Sequence, residues 1–354
     1  MKTIHAILAA AVAASLIPVA AQAAPTYQLI RLDSFGGSIA IGLALNESGT
    51  VVGKAHTMPC CDDDAPYETR RAVRWTASNP TDLGTLGGMN ATATGINDQN
   101  VVIGASTLAG GGNDVATTWV NGLATQLPNL GGQASGAYAI NRRGDIAGYA
   151  TTAGNVRYRA VVWRAGVARA LPDLGGKNAV ATALSNKGHV VGYSTARGQQ
   201  GTRAVMWSSA GGLTNLGAGL AGSSNARGVN DNGTAVGYHI APGAYSRPII
   251  WSGTTPVDVG TLGGAQGWVN GINNQGSAVG ASSKVGTETP HATLWQAGAV
   301  LDLNDLVDPS QLDPNEWLLT EAMAINGRGE ITGVMRNVWG FEQRGFLLKP
   351  LLQH

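Results

Sequence analysis

Charge is scarce in this chain. Of its 354 residues, 13% are Asp, Glu, Lys or Arg, and the formal net charge is +1, against roughly 25% charged residues in an average domain. A nucleic-acid partner normally leaves a strongly basic footprint, so that class is excluded as the main partner. A polybasic membrane anchor is excluded on the same ground. Cysteine is almost missing: Cys60 and Cys61 are the two, and they are adjacent. Neighbouring cysteines fit mutual disulfide geometry poorly, so the fold does not depend on bridges, and a core of this size can supply its own burial. Beyond the first residues no apolar run approaches the roughly 18 residues of a membrane span. The sequence also lacks G-x-S-x-G, H-E-x-x-H and C-x-x-C. No nucleophile–base pair and no zinc site can therefore be argued from motifs.

Glycine is abundant, with 51 copies, which points to a turn-rich all-β protein. At the N-terminus, Lys2 precedes an apolar stretch at residues 7–17, and Ala21-Gln22-Ala23 offers an A-x-A cleavage site. Residues 1–23 read as a secretory signal, leaving 24–354 as a single exported domain, periplasmic or extracellular. No cysteine follows the cut closely enough to carry a lipid.

Six tryptophans, Trp75, Trp119, Trp163, Trp207, Trp251 and Trp295, recur every 44 residues. A fixed period of this kind marks one supersecondary unit copied along the chain. A motif L-x-x-L-G-G opens the units at 32–37, 83–88, 127–132 and 171–176, with looser copies at 213–218, 259–264 and 303–308. Within a unit, short apolar segments separated by tight turns give four antiparallel strands, the signature of a propeller blade. The first turn begins with Asn46, Asn97, Asn141, Ser185, Asn230, Asn273 or Asn326 and usually ends on glycine three residues later. Such an Asn can bond its own turn backbone, and the glycine supplies positive φ; a ring of ligands is the competing reading. Counting turns predicts a seven-bladed β-propeller of four-stranded antiparallel blades. The chain begins with a strand, 27–35, that the last unit lacks. That strand should complete the last blade and close the ring, which removes the free edges.

These motifs resemble the extracellular repeats called HAF repeats. The resemblance is carried by Leu83-Gly84-Thr85-Leu86-Gly87-Gly88, by Gly95-Ile96-Asn97, by His291-Ala292-Thr293-Leu294-Trp295 and by the ending at 302–348. The His-Ala-Phe triplet itself survives in part, as His291-Ala292 and Gly345-Phe346. The resemblance implies an exported repeat protein of undefined activity and carries no catalytic residues.

Unit lengths locate the variable face. The first unit carries extra residues between Lys54 and Arg71, the sixth between Asn304 and Trp317, and both insertions fall at the same end of the blades. Function on repeat scaffolds sits with variable loops, so this loop-rich face is the predicted binding face. Arg71, Arg159, Arg203, Arg247, His291 and Arg344 form a periodic set of cations four residues before the tryptophan position, with Val115 breaking the series. They either hold an anionic sugar or phosphate through guanidinium contacts or glue neighbouring blades by packing and carbonyl bonds. Asp62, Asp63 and Asp64 offer hard oxygen ligands for calcium, and His56 with Cys60 and Cys61 softer ligands for another metal. None has a recognised ligand spacing; a charged, solvated loop is the favoured reading, and no cofactor beyond calcium is expected. The acidic stretch Asp302, Asp305, Asp308, Asp313 and Glu316 is expected to be a loop, and Trp317 or Trp268 a sugar-stacking or core aromatic. The G-x-G-x-x-G match at 217–222 lacks a βαβ context and is set aside. The resulting expectation is a monomeric, non-catalytic binding module for a glycan or protein ligand. A propeller hydrolase or lyase acting on polysaccharide is the alternative, since propellers host many chemistries.

Overall fold

A computed structural model describes residues 26–57, 69–287, 289–340 and 342–351. The chain is all-β, a β-propeller of four-stranded antiparallel blades. Among the described residues the strands form seven quartets. Blades 1 to 6 cover 40–82, 87–126, 131–170, 175–215, 223–258 and 263–302. The seventh combines Trp317–Ile325, Ile331–Asn337 and Gln343–Pro350 with the N-terminal strand Tyr27–Leu32. Blades 3 and 4 are further joined by one parallel pairing, Tyr158 with Asn178. No helix among the described residues is long and apolar enough to cross a membrane.

Each repeated residue has an identifiable job. The six periodic tryptophans are 0–4% exposed, and each of these indoles donates to a carbonyl of the connection entering its own blade. Trp119 reaches Gly84 O at 3.2 Å, Trp163 reaches Pro128 O at 2.6 Å and Trp295 reaches Gly260 O at 3.0 Å. A buried indole thus fills the gap between blades while its N–H is satisfied. The same bond corrects one motif copy. Trp251 bonds Leu216 O, and Leu216 N–H donates to Ala204 O as Leu83 does to Ala72. The other indoles reach the residue after the motif's first position, so by this bond the fifth motif starts at Asn215, two residues later than its sequence match, and Leu216 supplies its buried leucine.

The inner strand of every blade carries a bulge three residues before the turn asparagine, as at Thr94, between the pairs Ala93–Gly104 and Gly95–Ile103. A bulge re-aims the extra side chain, here into the central channel. The bulge also drives a carbonyl against the second strand. A Cβ on Gly104 would lie 1.9 Å from Thr92 O, and one on Gly192 would lie 2.0 Å from Val180 O. That close approach explains the glycine at the third residue of each V-V-G-like segment, as in Val102-Ile103-Gly104 and Val190-Val191-Gly192.

Closure follows the predicted route. Tyr27–Leu32 pairs antiparallel with Gln343–Pro350, in register from Tyr27–Pro350 to Leu32–Gly345. The insertion of the sixth unit clamps this strand from outside. Val307 bridges Tyr27, and Gln311 Oε1 accepts from Leu29 N at 2.8 Å. Val307 and Leu312 are buried in the same core as Tyr27 and Phe346.

Candidate functional site

The two ends of the central channel are built differently. At the tight-turn end the asparagines form a nearly closed ring of hydrogen bonds. Nδ2 of each donates to the turn carbonyl of the next blade: Asn46 to Asn97, Asn97 to Asn141, Asn141 to Ser185, Asn230 to Asn273, Asn273 to Asn326 and Asn326 back to Asn46, at 3.1–3.4 Å. Oδ1 meanwhile accepts from the turn's own backbone, as Asn326 does from Arg328 N and Glu330 N, both at 3.0 Å. Every polar atom of these amides is engaged, so the ring is structural. The cavity it frames is about 240 Å³.

The loop-rich end opens into a trough. Three adjoining cavities of about 870, 420 and 500 Å³ share walls and run from the channel outward over blades 3 and 4. Five tyrosines line the first two: Tyr138, Tyr149, Tyr158, Tyr193 and Tyr238. Tyr138 sits on a bulge of the inner strand. Tyr149, Tyr193 and Tyr238 each follow the close-packed glycine of the second strand. Gly136 leaves room for the Tyr149 ring, since a Cβ there would meet Cε1 at 2.8 Å. The rings of Tyr138, Tyr149 and Tyr158 follow one another at 5.8 and 5.4 Å between centroids. Burial first, then the neighbouring phenols and Asp114, push Tyr138 and Tyr149 up in pKa; burial and the phenols of Tyr238 and Tyr158 do the same for Tyr193. These hydroxyls stay protonated through the neutral range and act as neutral donors and acceptors.

At the channel centre Arg227 occupies the bulge position of blade 5. Its guanidinium lies 4.9 Å over the Tyr238 ring and donates to Asn270 Oδ1 at 2.6 Å. Asn270 Nδ2 donates to Glu321 Oε1 at 2.9 Å, and Trp268 Nε1 donates to the same oxygen at 2.6 Å. This network holds Arg227 in place against an aromatic face.

The predicted cations lie elsewhere, at the start of each third strand. Arg71 pairs with Asp82 at 2.8 Å, Arg159 with Asp173 at 3.2 Å, Arg247 with Asp258 at 2.9 Å and His291 with Asp302 at 2.7 Å. Arg203 donates to the carbonyls of Thr202 and Gly222, and Arg344 to Gly37 O and Glu342. All six thus engage their own or an adjoining segment. Cys60, Cys61, Asp62, Asp63 and Asp64 lie outside the described residues. Trp317 opens the inner strand of blade 7, half-buried, with the Arg31 guanidinium 5.5 Å from its ring; it does not line the trough. Asp302, expected on a loop, instead ends the strand Ala299–Asp302 and is 5% exposed. It caps a short 3-10 turn through Asn304 N and also accepts from Lys284 Nζ at 2.9 Å. Burial alone would raise its pKa, but hydrogen bonds from His291, Asn304 and Lys284 outweigh it and hold the carboxyl at about 2. Among the described residues no three His, Cys, Asp or Glu side chains gather as a metal site.

The trough residues were not singled out by motif. A signal did exist: the residue after the V-V-G glycine is Tyr in three successive units but Lys54, Ala105, Ala281 or Val334 in the others. No protein-family model matches this sequence, and no curated protein does. Among solved structures it is similar to TolB from Acinetobacter baumannii, at 13% identity and TM-score 0.40, over 67% of this chain and 61% of that one. The chain therefore spans about three fifths of TolB's length. It is also similar to the β-propeller domain of the trilobed protease from Pyrococcus furiosus, described as having an open velcro topology. That likeness has 9% identity and TM-score 0.49, over 93% and 96% of the two chains. A third likeness is to XC5397 from Xanthomonas campestris, a gluconolactonase, at 10% identity and TM-score 0.41, over 92% and 90%.

Proposed function

We propose that this is an exported binding module of the HAF-repeat type that holds a glycan in the trough at the loop-rich end of its channel. The observation that carries the reading is the run of tyrosines on blades 3 to 5. Their faces offer stacking area for sugar rings, and the hydroxyls of Tyr138, Tyr149, Tyr158 and Tyr193 make no hydrogen bond to the described protein. Aromatic bodies with free polar tips are suited to a ligand that is apolar on its ring faces and polar at its rim. Neighbouring Asn225, Thr202 and Asn178 add donors and acceptors along the wall.

The test is capture of glycans on a broad array by the purified protein, followed by titration of the strongest hit against Tyr149→Ala and Tyr193→Ala. Binding should fall at least tenfold in each variant while unfolding midpoints stay near that of the parent. Undiminished binding in both variants would move the site away from the trough. Release of new reducing ends during incubation would replace the binding module with a polysaccharide-cleaving enzyme.

A further inference from the structure

We infer that the trough is built for an acidic glycan, a chain bearing carboxylate or sulfate groups, held by cations at both of its ends. This rests on the glycan reading above and adds the ligand's charge. The outer cavity is lined by Arg157, Lys177 and Arg197. All three are exposed, and none forms an ion pair among the described residues. Arg227, at the inner end, likewise has no carboxylate within ion-pair distance, its contacts being Asn270 and Tyr238. The linings of the three cavities contain no Asp or Glu at all.

Several arginines elsewhere on the blades are neutralised by the chain's own acids. Arg70 pairs with Asp114 at 3.0 Å, Arg71 with Asp82, Arg159 with Asp173 and Arg247 with Asp258. A protein of net charge +1 thus leaves four cations unpaired around one continuous depression. Arg227 is the most informative of them. A half-buried guanidinium is costly to desolvate without a partner. Asn270 and the Tyr238 face fix its plane, so a carboxylate or sulfate can meet it with little further ordering. The three rim cations are exposed, suited to later groups on the same chain. Because charges stand at both ends with tyrosines between, the arrangement fits an extended oligosaccharide better than a single sugar.

The experiment is calorimetric titration of the full chain with three probes: an oligogalacturonate, its carboxyl-reduced neutral counterpart and a chondroitin sulfate oligosaccharide. At least one acidic probe should bind tenfold or more tightly than the neutral one and weaken as salt rises. Its affinity should fall at least fivefold in Arg227→Gln and in the triple variant Arg157→Gln/Lys177→Gln/Arg197→Gln. Neutral-probe affinity should fall by a smaller factor than acidic-probe affinity in both. Preference between the two acidic probes separates carboxylate from sulfate recognition. Equal binding of neutral and acidic probes, or acidic binding indifferent to both charge variants, would overturn the inference and leave the glycan reading standing. Failure of all three probes on a folded protein would overturn both.

Discussion

The two ends of the channel share one backbone and differ in what they repeat. At the tight-turn end the residue before each turn is Leu45, Ile96, Ile140, Leu184, Val229, Ile272 or Ile325, and the turn itself opens with Asn in all units but one. Two residues farther in, at the bulge, the same strands carry Leu43, Thr94, Tyr138, Thr182, Arg227, Asn270 and Met323. The first set closes a ring whose bonds run from blade to blade, so every member must fit the same neighbour. The bulge residues face a widening channel and are freer to differ. Uniformity therefore marks the scaffold, and unlikeness at a fixed position marks the site.

Breaking the uniform scaffold should cost most. In Gly192→Val the added Cβ would start 2.0 Å from Val180 O, so the bulge or the strand pairing must shift. About 3 kcal/mol of stability should be lost by chemical unfolding; a loss below 1 kcal/mol would show that the bulge yields easily. Next comes Asn326→Ala at the ring's closing bond. It strips the acceptor from two backbone N–H groups and the donor from the Asn46 carbonyl. About 2 kcal/mol is expected, since orphaned buried groups cost about 1–3 kcal/mol. An unchanged midpoint would mean that water replaces the amide without penalty.

A pH effect of similar size belongs to Asp302. Its folded pKa, about 2, lies below the ordinary carboxylate value of 3.8, so the unfolded chain takes up the proton first. The stabilisation is complete above about pH 4 and is lost as pH falls toward 2, amounting to about 2 kcal/mol. Unfolding midpoints from pH 5 to 2 should drop less in Asp302→Asn, which cannot titrate. Parallel curves for the two proteins would remove Asp302 from the account.

The scaffold was legible because repetition exposes it. The tryptophan period and the turn asparagine answer constraints repeated from blade to blade, and together with the strand count they predicted four-stranded blades and closure by the N-terminal strand. Even so, the asparagine's second role was hidden, because its Nδ2 bonds the next blade and sequence spacing shows only the local turn. The site was not legible by the same logic. Regular cations such as Arg247 stand out in the sequence, yet they meet acids such as Asp258 brought near by strand pairing. Tyr149 and Arg227 are irregular, and their convergence depends on a bulge in one strand and a neighbouring residue in another.

The smallest expected effect sharpens the comparison from the other side. Arg142 stands at the tight-turn end, paired with Asp98 at 2.9 Å, with its side chain 57% exposed. Solvent screens such a pair, and freeing a long side chain restores entropy, so Arg142→Ala should change stability by less than about 0.5 kcal/mol. It should also leave glycan affinity unchanged, because the asparagine ring stands between it and the trough. Tyr149→Ala is its counterpart at the other end, with little change in stability and a large loss of binding. Measuring both variants by titration and unfolding decides whether the two ends are functionally separate. A threefold loss of affinity in Arg142→Ala would mean that the channel acts as one site along its whole length.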